Sequence, residues 1–322
     1  MFESSKSVPS KPSPSGFKYV SAQEILNQPP PDPKFIIQNL LTPGLTIFAA
    51  SPKSGKSTLL TYLMAHISRG IGVFWKRPVL KSKVLYLGLE DGIARIHKRL
   101  DEYNKNPMVG GSRPLDDLYF VHETEKTGID FVDQLQGEII KEGFKVVVVD
   151  VLHKIFDPKH NFGYAAQYEI MDALHQCAID TDSAIIVVHH TNKKASNGLQ
   201  SISGTQGLTA AADNIMILSR SSDSWAEAYL KLDVQGRDID SQEIWLEITN
   251  DGMEYIELPE APISPIKSQE LSTIIELRKN NLTQTQIATA LNISQSTVNR
   301  RIKAVKENPK IAELSQEEAD QL

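Results

Sequence analysis

Residues 50–57 read Ala-Ser-Pro-Lys-Ser-Gly-Lys-Ser, inside the stretch "IFAASPKSGKSTLL". The spacing is that of the phosphate-binding pattern G-x-x-x-x-G-K-[ST], with Ala50 at the first glycine position. An apolar strand pattern precedes it and an apolar helix pattern follows, the context this chemistry needs. Backbone N–H groups of the turn and of the helix start face phosphate anions. The cradle spans Ser51, Pro52, Lys53, Ser54, Gly55, Lys56, Ser57 and Thr58. In it Lys56 can reach the β- and γ-phosphates of ATP, and the Ser57 hydroxyl can ligate Mg²⁺. Ala50 means that this position need not take a conformation open only to glycine.

Other reactive side chains stand where apolar runs end. "KVLYLGLEDG" delivers Glu90 and Asp91. A carboxylate there can orient an attacking water and accept its proton, which assigns Glu90 as general base; Asp91 suits a cap for the helix that follows. "FKVVVVD" ends in Asp150, placed to hold Mg²⁺. "AIIVVHH" ends in His189 and His190, on opposite faces by strand alternation. His190 is favoured as a sensor of nucleotide state. Two adjacent histidines also suggest a metal, but no matching Cys/His/Asp set stands nearby. In "KKASNGLQSISGTQGLTAAADN" (193–214), Gln206 can report the γ-phosphate, and Lys193 and Lys194 can meet a nucleic-acid backbone. Arg237, between two late strands, reads either as a surface arginine or as a finger reaching a neighbouring subunit's nucleotide, with Arg220 as the second candidate.

The elements that must position these groups follow from periodicity. Runs at 45–50, 83–89, 118–122, 144–151, 183–190 and 212–218 read as strands. Most are continuous apolar or β-branched segments, as in a sheet covered on both faces. "STLLTYLMAHISRG", "GIARIHKRLDEYN" and "AAQYEIMDALHQCAID" read as helices between them. The fold class expected is α/β, a mainly parallel sheet. "AEAYLKLDV" and "QEIWLEIT" read as antiparallel strands on its edge. Residues 1–16 are Ser/Pro/Lys-rich and read as a disordered arm; "SAQEIL" reads as a short capped helix. The ATPase domain is expected over 17–258, with a proline-marked linker at 259–267.

Bulk numbers set limits. The 322 residues suffice for one large domain and a small appendage, and the net charge of −6 gives no general reason to bind nucleic acid. Cys177 is the single cysteine, so no intramolecular disulfide forms, and its apolar setting reads as a buried thiol. No run reaches a membrane span and no signal-peptide core is seen, so a cytoplasmic, membrane-free protein is expected.

The order of motifs resembles the RecA-like ATPases, and within them the RepA-like hexameric helicases of plasmids and phages. The resemblance covers about residues 20–250. It is carried by "GLTIFAASPKSGKST", "KVLYLGLEDG", "KVVVVDVLHKI", "VVHHTNK" and "SISGTQGLTAAADNIMIL". It implies a homo-oligomeric ring, a hexamer, with ATP and Mg²⁺ between neighbours and single-stranded DNA in the central channel. It also implies channel loops at "LHKIFDPKHNFGYAAQ" and "TNKKASNGLQSISG". On these, Lys154, Lys159 and Lys193 become candidate backbone contacts, and Phe162 and Tyr164 candidate stacking residues. Three departures stand out: Ala50, Gln235 where a second cation often precedes the finger, and Met216 where some relatives place an arginine.

Residues 268–308 resemble a helix-turn-helix. Thr283 and Gln286 form a capping box, "TQTQIATAL" is the first helix, "NIS" the turn with Ser294 as the next cap, and "QSTVNRRIKAVKEN" the recognition helix. Ile287, Leu291, Ile293, Val298 and Ile302 supply its core spacing, while Gln295, Ser296, Asn299, Arg300 and Lys303 face outward to read duplex DNA. From Ile266 to Lys310 eight basic residues stand against three acidic ones. A helical cap or subunit contact is the other use for such a bundle. Residues 309–322 read as an acidic tail.

The reading is a ring-forming, ATP-hydrolysing motor on single-stranded DNA, in mobile-element replication. The alternatives are an ATP-switched, sequence-specific DNA-binding regulator and a KaiC- or recombinase-mediator-type ATPase without unwinding activity.

Overall fold

A computed structural model describes residues 19–29, 34–71, 73–105, 113–156, 164–191, 209–220, 229–249, 254–262 and 265–307. The arm at 1–16, the tail at 309–322 and most of the 193–214 loop lie outside the described residues. The chain divides into two compact units, 1–34 and 35–322. In the first, helix α1 (Ala22–Leu26) is closed by a full capping box: the Ser21 side chain accepts from the Glu24 amide, and the Glu24 carboxylate accepts from the Ser21 amide.

The second unit is built on a nine-stranded sheet. Its strands are β1 (Gly44–Ala50), β4 (Val84–Gly88), β5 (Leu118–Val121), β6 (Val146–Asp150), β7 (Ala184–His190), β8 (Asn214–Arg220), β9 (Tyr229–Gly236), β10 (Gln242–Thr249) and β11 (Glu254–Leu258). They lie in the order β11-β10-β9-β8-β1-β7-β6-β4-β5. From β8 through β5 every pairing is parallel; β9, β10 and β11 extend the β8 edge in antiparallel fashion. The mainly parallel sheet read from the sequence is the one observed, with a third antiparallel strand, β11, beyond the two expected. A small hairpin of β2 (Val73–Phe74) and β3 (Arg77–Pro78) forms its own two-stranded sheet.

Strand alternation builds two cores. Phe48, Tyr86, Val146, Val148, Ile186 and Val188 face α2 (Lys56–Arg69), which contributes Leu59, Leu60, Leu63, Met64 and Ile67, and α3 (Ile93–Lys105), which contributes Tyr103. Leu45, Ile47, Val147, Val149, Ile185 and Val187 face α4 (Gly128–Glu142) and α5 (Tyr164–Thr181). Covering on both faces is why these strands carry no polar alternation. Helix α4 was not among the helices expected, although Phe131, Val132, Leu135 and Ile139 form its buried stripe; Gly128 and Gly137 obscure the pattern. Cys177 sits buried on α5, and burial pushes its thiol up to about 11.

Three further helices, α6 (Pro265–Lys279), α7 (Gln284–Ala290) and α8 (Gln295–Glu307), share a separate core of Ile274, Ile287, Ala288 and Val298. Leu291, Ile293 and Ile302 pack against it. Helix α6 begins at Pro265, within the segment expected as linker; proline suits a first helical position because its missing N–H has no helical partner to lose. Among the described residues no helix is long and apolar enough to cross a membrane.

The amino ends of the strands are pinned by Asp213 and Asn214. Asp213 accepts from the Leu45 amide at 2.8 Å, and buried Asn214 donates to Thr42 at 2.9 Å. A Cβ at Gly236 would lie 2.1 Å from Asn214 Oδ1. Gly236→Ala is therefore expected to cost about 1–3 kcal/mol by forcing this pair apart. Gly137→Ala, on the exposed face of α4 with nothing within 4 Å, is expected to gain about 0.5–1 kcal/mol through helix propensity. Urea denaturation of both variants checks the pair. Burial lowers the pKa of His66, on α2, from its ordinary 6.5 to about 4. The unfolded chain then binds the proton first as pH falls, so stability declines between pH 6.5 and about 4. Denaturation midpoints across that window should flatten in His66→Phe.

Candidate active site

The reactive groups collect at the carboxyl ends of β1, β4, β6 and β7. β1 keeps strand conformation through Ala50, so alanine at the first cradle position meets no strain. Left-handed conformations fall later, at Lys53 with φ 64° and at Gly55 with φ 90° immediately before α2, where a glycine fits without strain. Lys56 and Ser57 then open α2, and the Tyr103 hydroxyl holds the helix by donating to the Thr58 carbonyl at 2.5 Å.

Asp150 ends β6 and is the focus of the site. The residue is buried, 3% exposed. One carboxylate oxygen accepts from the Ser57 hydroxyl at 2.6 Å and from the Tyr86 hydroxyl at 2.7 Å. The other lies 3.7 Å from Lys56 Nζ and has no hydrogen-bond partner. Tyr86, wholly buried on β4, has its pKa raised well above the ordinary value by burial first and then by the Asp150 charge, so it stays a donor. The Ser54 hydroxyl in the loop is also buried without a hydrogen-bond partner. A buried carboxylate oxygen and a buried hydroxyl, both with open valences beside a lysine and a serine, fit a nucleotide phosphate and Mg²⁺. The peptide bond between Asp150 and Val151 is cis.

Glu90 follows β4 on a turn anchored by the Leu89 amide, which donates to the Asp150 carbonyl at 2.8 Å. Its two carboxylate oxygens face His153 Nε2 at 3.4 Å and His190 Nε2 at 3.9 Å. The structure thus corrects the expectation that no matching ligand set stands near the histidines: Glu90, His153 and His190 present their ligand atoms within 4.8 Å of one another. His153 escaped the sequence reading because it lies beyond Asp150 on a short 3-10 turn, Leu152–Ile155, outside any strand pattern. Burial lowers its pKa, with Glu90 opposing. Asp91 is not the helix cap. α3 starts at Ile93, the Arg95 and Ile96 amides donate to the Gly92 carbonyl, and the Asp91 carboxylate instead takes Arg95 and Arg99.

Arg237 sits beyond β9 at the opposite end of the sheet. Its guanidinium donates to Asp213 at 3.1 Å, and Asp213 also holds His175. Asn214 pairs with Gly236 on one side and Thr46 on the other, so Arg237 stands level with Leu45, about 16 Å at strand rise from Ala50 at the head of its own cradle. Arg220 ends β8 on the cradle side of the sheet. Lys154 is exposed on the 3-10 turn. Lys159, Phe162, Lys193, Lys194 and Gln206 lie outside the described residues, as does the side chain of Tyr164.

In the C-terminal helices both caps are formed: Thr283 accepts from the Gln286 amide at 3.3 Å, and Ser294 accepts from the Thr297 amide at 3.1 Å. Gln295, Ser296, Asn299 and Lys303 are exposed along α8; the Arg300 side chain is outside the described residues. Arg301 turns inward to an ion pair with Glu270 on α6.

Comparison with known proteins agrees with this picture. Residues 271–308 match a family of winged helix-turn-helix DNA-binding domains. The fold is similar to a solved ATPase domain, at a TM-score of 0.52 and 13% identity, over 68% of this chain and 86% of that one. It is also similar to a structure of a DnaB-like replicative helicase and its interactions with primase, at a TM-score of 0.52 and 14% identity, over 68% of this chain. The match spans 58% of that helicase chain. At such identities the likeness is one of fold alone. No curated protein matches. Residues 11–196 match AAA_25, an AAA domain family, and since that is more than half of its length, the chain belongs to the AAA_25 family.

Proposed function

We propose that this protein is an oligomeric, ring-forming ATPase that moves on single-stranded DNA, tethered to duplex DNA by its C-terminal helix-turn-helix. The observation that carries it is the constellation around Asp150: Lys56 and Ser57 from the cradle, with Glu90 and His190 on flanking strand ends. When bound, Mg²⁺ would be held by Ser57 and Asp150 and would neutralise phosphate charge. Lys56 binds the β- and γ-phosphates. Glu90 orients the attacking water and takes its proton, and His190, within reach of Glu90, senses the γ-phosphate. The RecA-like helicase fold supports a DNA-directed use of that energy, and the exposed polar face of α8 supports duplex contact. Replication of a mobile element and a hexameric ring fit this reading.

Arg237 cannot serve its own cradle across the sheet, so its catalytic use is in a neighbour's site, released from Asp213. Lys56→Ala should abolish turnover, and Arg237→Ala should lower it at least about tenfold, the scale of a lost finger. Mixing the two variants should restore part of the activity, since mixed interfaces pair an intact cradle with an intact finger. Absence of recovery in a sample shown by mass to contain mixed oligomers would sink the shared site.

Single-stranded DNA should stimulate wild-type turnover at low salt. Asn299→Ala and Lys303→Ala should weaken duplex binding, with a shallower salt dependence for the lysine variant. DNA-indifferent turnover together with tight binding to one duplex sequence would instead favour the ATP-switched regulator, which the helix-turn-helix match also supports.

A further inference from the structure

The carboxylate and the two histidines at the strand ends are more than neighbours of the hydrolytic centre. β4 and β7 flank β6, so their ends stand about 10 Å apart, and Glu90 and His190 reach toward each other over the end of β6. His153 closes the triangle from the turn that follows β6. A four-coordinate transition-metal ion bonds imidazole nitrogen and carboxylate oxygen at about 2.0–2.2 Å, which puts neighbouring ligand atoms roughly 3.3–3.5 Å apart. The Glu90–His153 separation of 3.4 Å is already that edge. His190 Nε2 lies 3.9 Å from the other carboxylate oxygen, and one ligand atom from each of the three residues falls within 4.8 Å of the others, so side-chain rotation is what closes the triangle on an ion. All three ligand atoms belong to partly exposed side chains, so an ion has a route in.

We propose that Glu90, His153 and His190 form a binding site for a divalent transition metal of the Zn²⁺ class, distinct from the Mg²⁺ position at Ser57 and Asp150. The donor chemistry separates the two. Two imidazoles with one carboxylate suit Zn²⁺, Co²⁺ or Ni²⁺, whereas Mg²⁺ selects oxygen ligands in an octahedral shell. Three protein ligands leave a position open to water. Occupation engages the carboxylate of Glu90, so the ion competes with the role given to that residue above and acts as a brake on turnover. That consequence rests on the proposed role of Glu90; the binding itself does not.

The test uses the full-length, tag-free protein, stripped with chelator and kept in excess Mg²⁺ without nucleotide. Co²⁺ is titrated while its visible absorption is followed, then displaced with Zn²⁺. The expected result is one ion per chain, with affinity at least about tenfold weaker in Glu90→Gln, His153→Ala and His190→Ala and unchanged in His97→Ala, on the exposed face of α3. Circular dichroism melts confirm that each variant is folded, and His153→Asn stands in if the alanine variant is not. No saturable signal, or wild-type binding in the histidine variants, overturns the site. Mg²⁺-dependent ATP turnover of the same stripped sample is measured separately. Lost metal binding with intact turnover defeats this site alone; intact binding with no turnover defeats the ATPase reading alone. Added Zn²⁺ should lower turnover in the wild type.

Discussion

The structure is organised around one buried carboxylate. Asp150 gathers Ser57 from the helix after the cradle, Tyr86 from the neighbouring strand and Lys56 at slightly longer range. An ionised carboxylate this deep is tolerated only when hydrogen-bonded and near a cation. Two hydroxyls and an ammonium meet that need, and in doing so they fix the start of α2 against the ends of β4 and β6. The phosphate loop is therefore held from below by the residue proposed to hold Mg²⁺. Removing the Tyr86 hydroxyl or the Ser57 hydroxyl would leave that charge less satisfied and loosen the loop as well as the ion site.

The opposite end of the sheet has its own anchor. Asp213 and Asn214 tie β8 to β1 and to the turn after β9, and they place Gly236 and Arg237 in fixed positions. Any displacement of Arg237 breaks an ion pair to Asp213, which also braces Leu45 at the foot of the strand leading to the cradle.

Much of this was legible in the sequence because its signals are local. The cradle reads as strand, Gly-Lys-Ser turn and helix; Asp150 ends a valine run; Thr283 with Gln286 and Ser294 announce two helix starts. Tyr86 was not legible as a partner of Asp150, because within "KVLYLGL" it looks like any core aromatic. His153 was not legible because its neighbours Glu90 and His190 are 63 and 37 residues away and meet it only through strand order. Asp91 misled because a good capping residue two positions before a helix can be claimed instead by arginines one and two turns into it.

The run Val146–Val149 is four identical side chains, all buried. Such a segment offers no internal mark by which its alignment with β4 and β7 is recognised, since any one-residue shift exchanges valine for valine. The polar residue that closes it supplies the mark. Shifted by one, Asp150 would turn to the face of α4 and α5, an apolar layer with no hydroxyl or lysine to receive it. The same side chain that organises the chemistry thereby acts as a proofreading device for the pairing of the central strands.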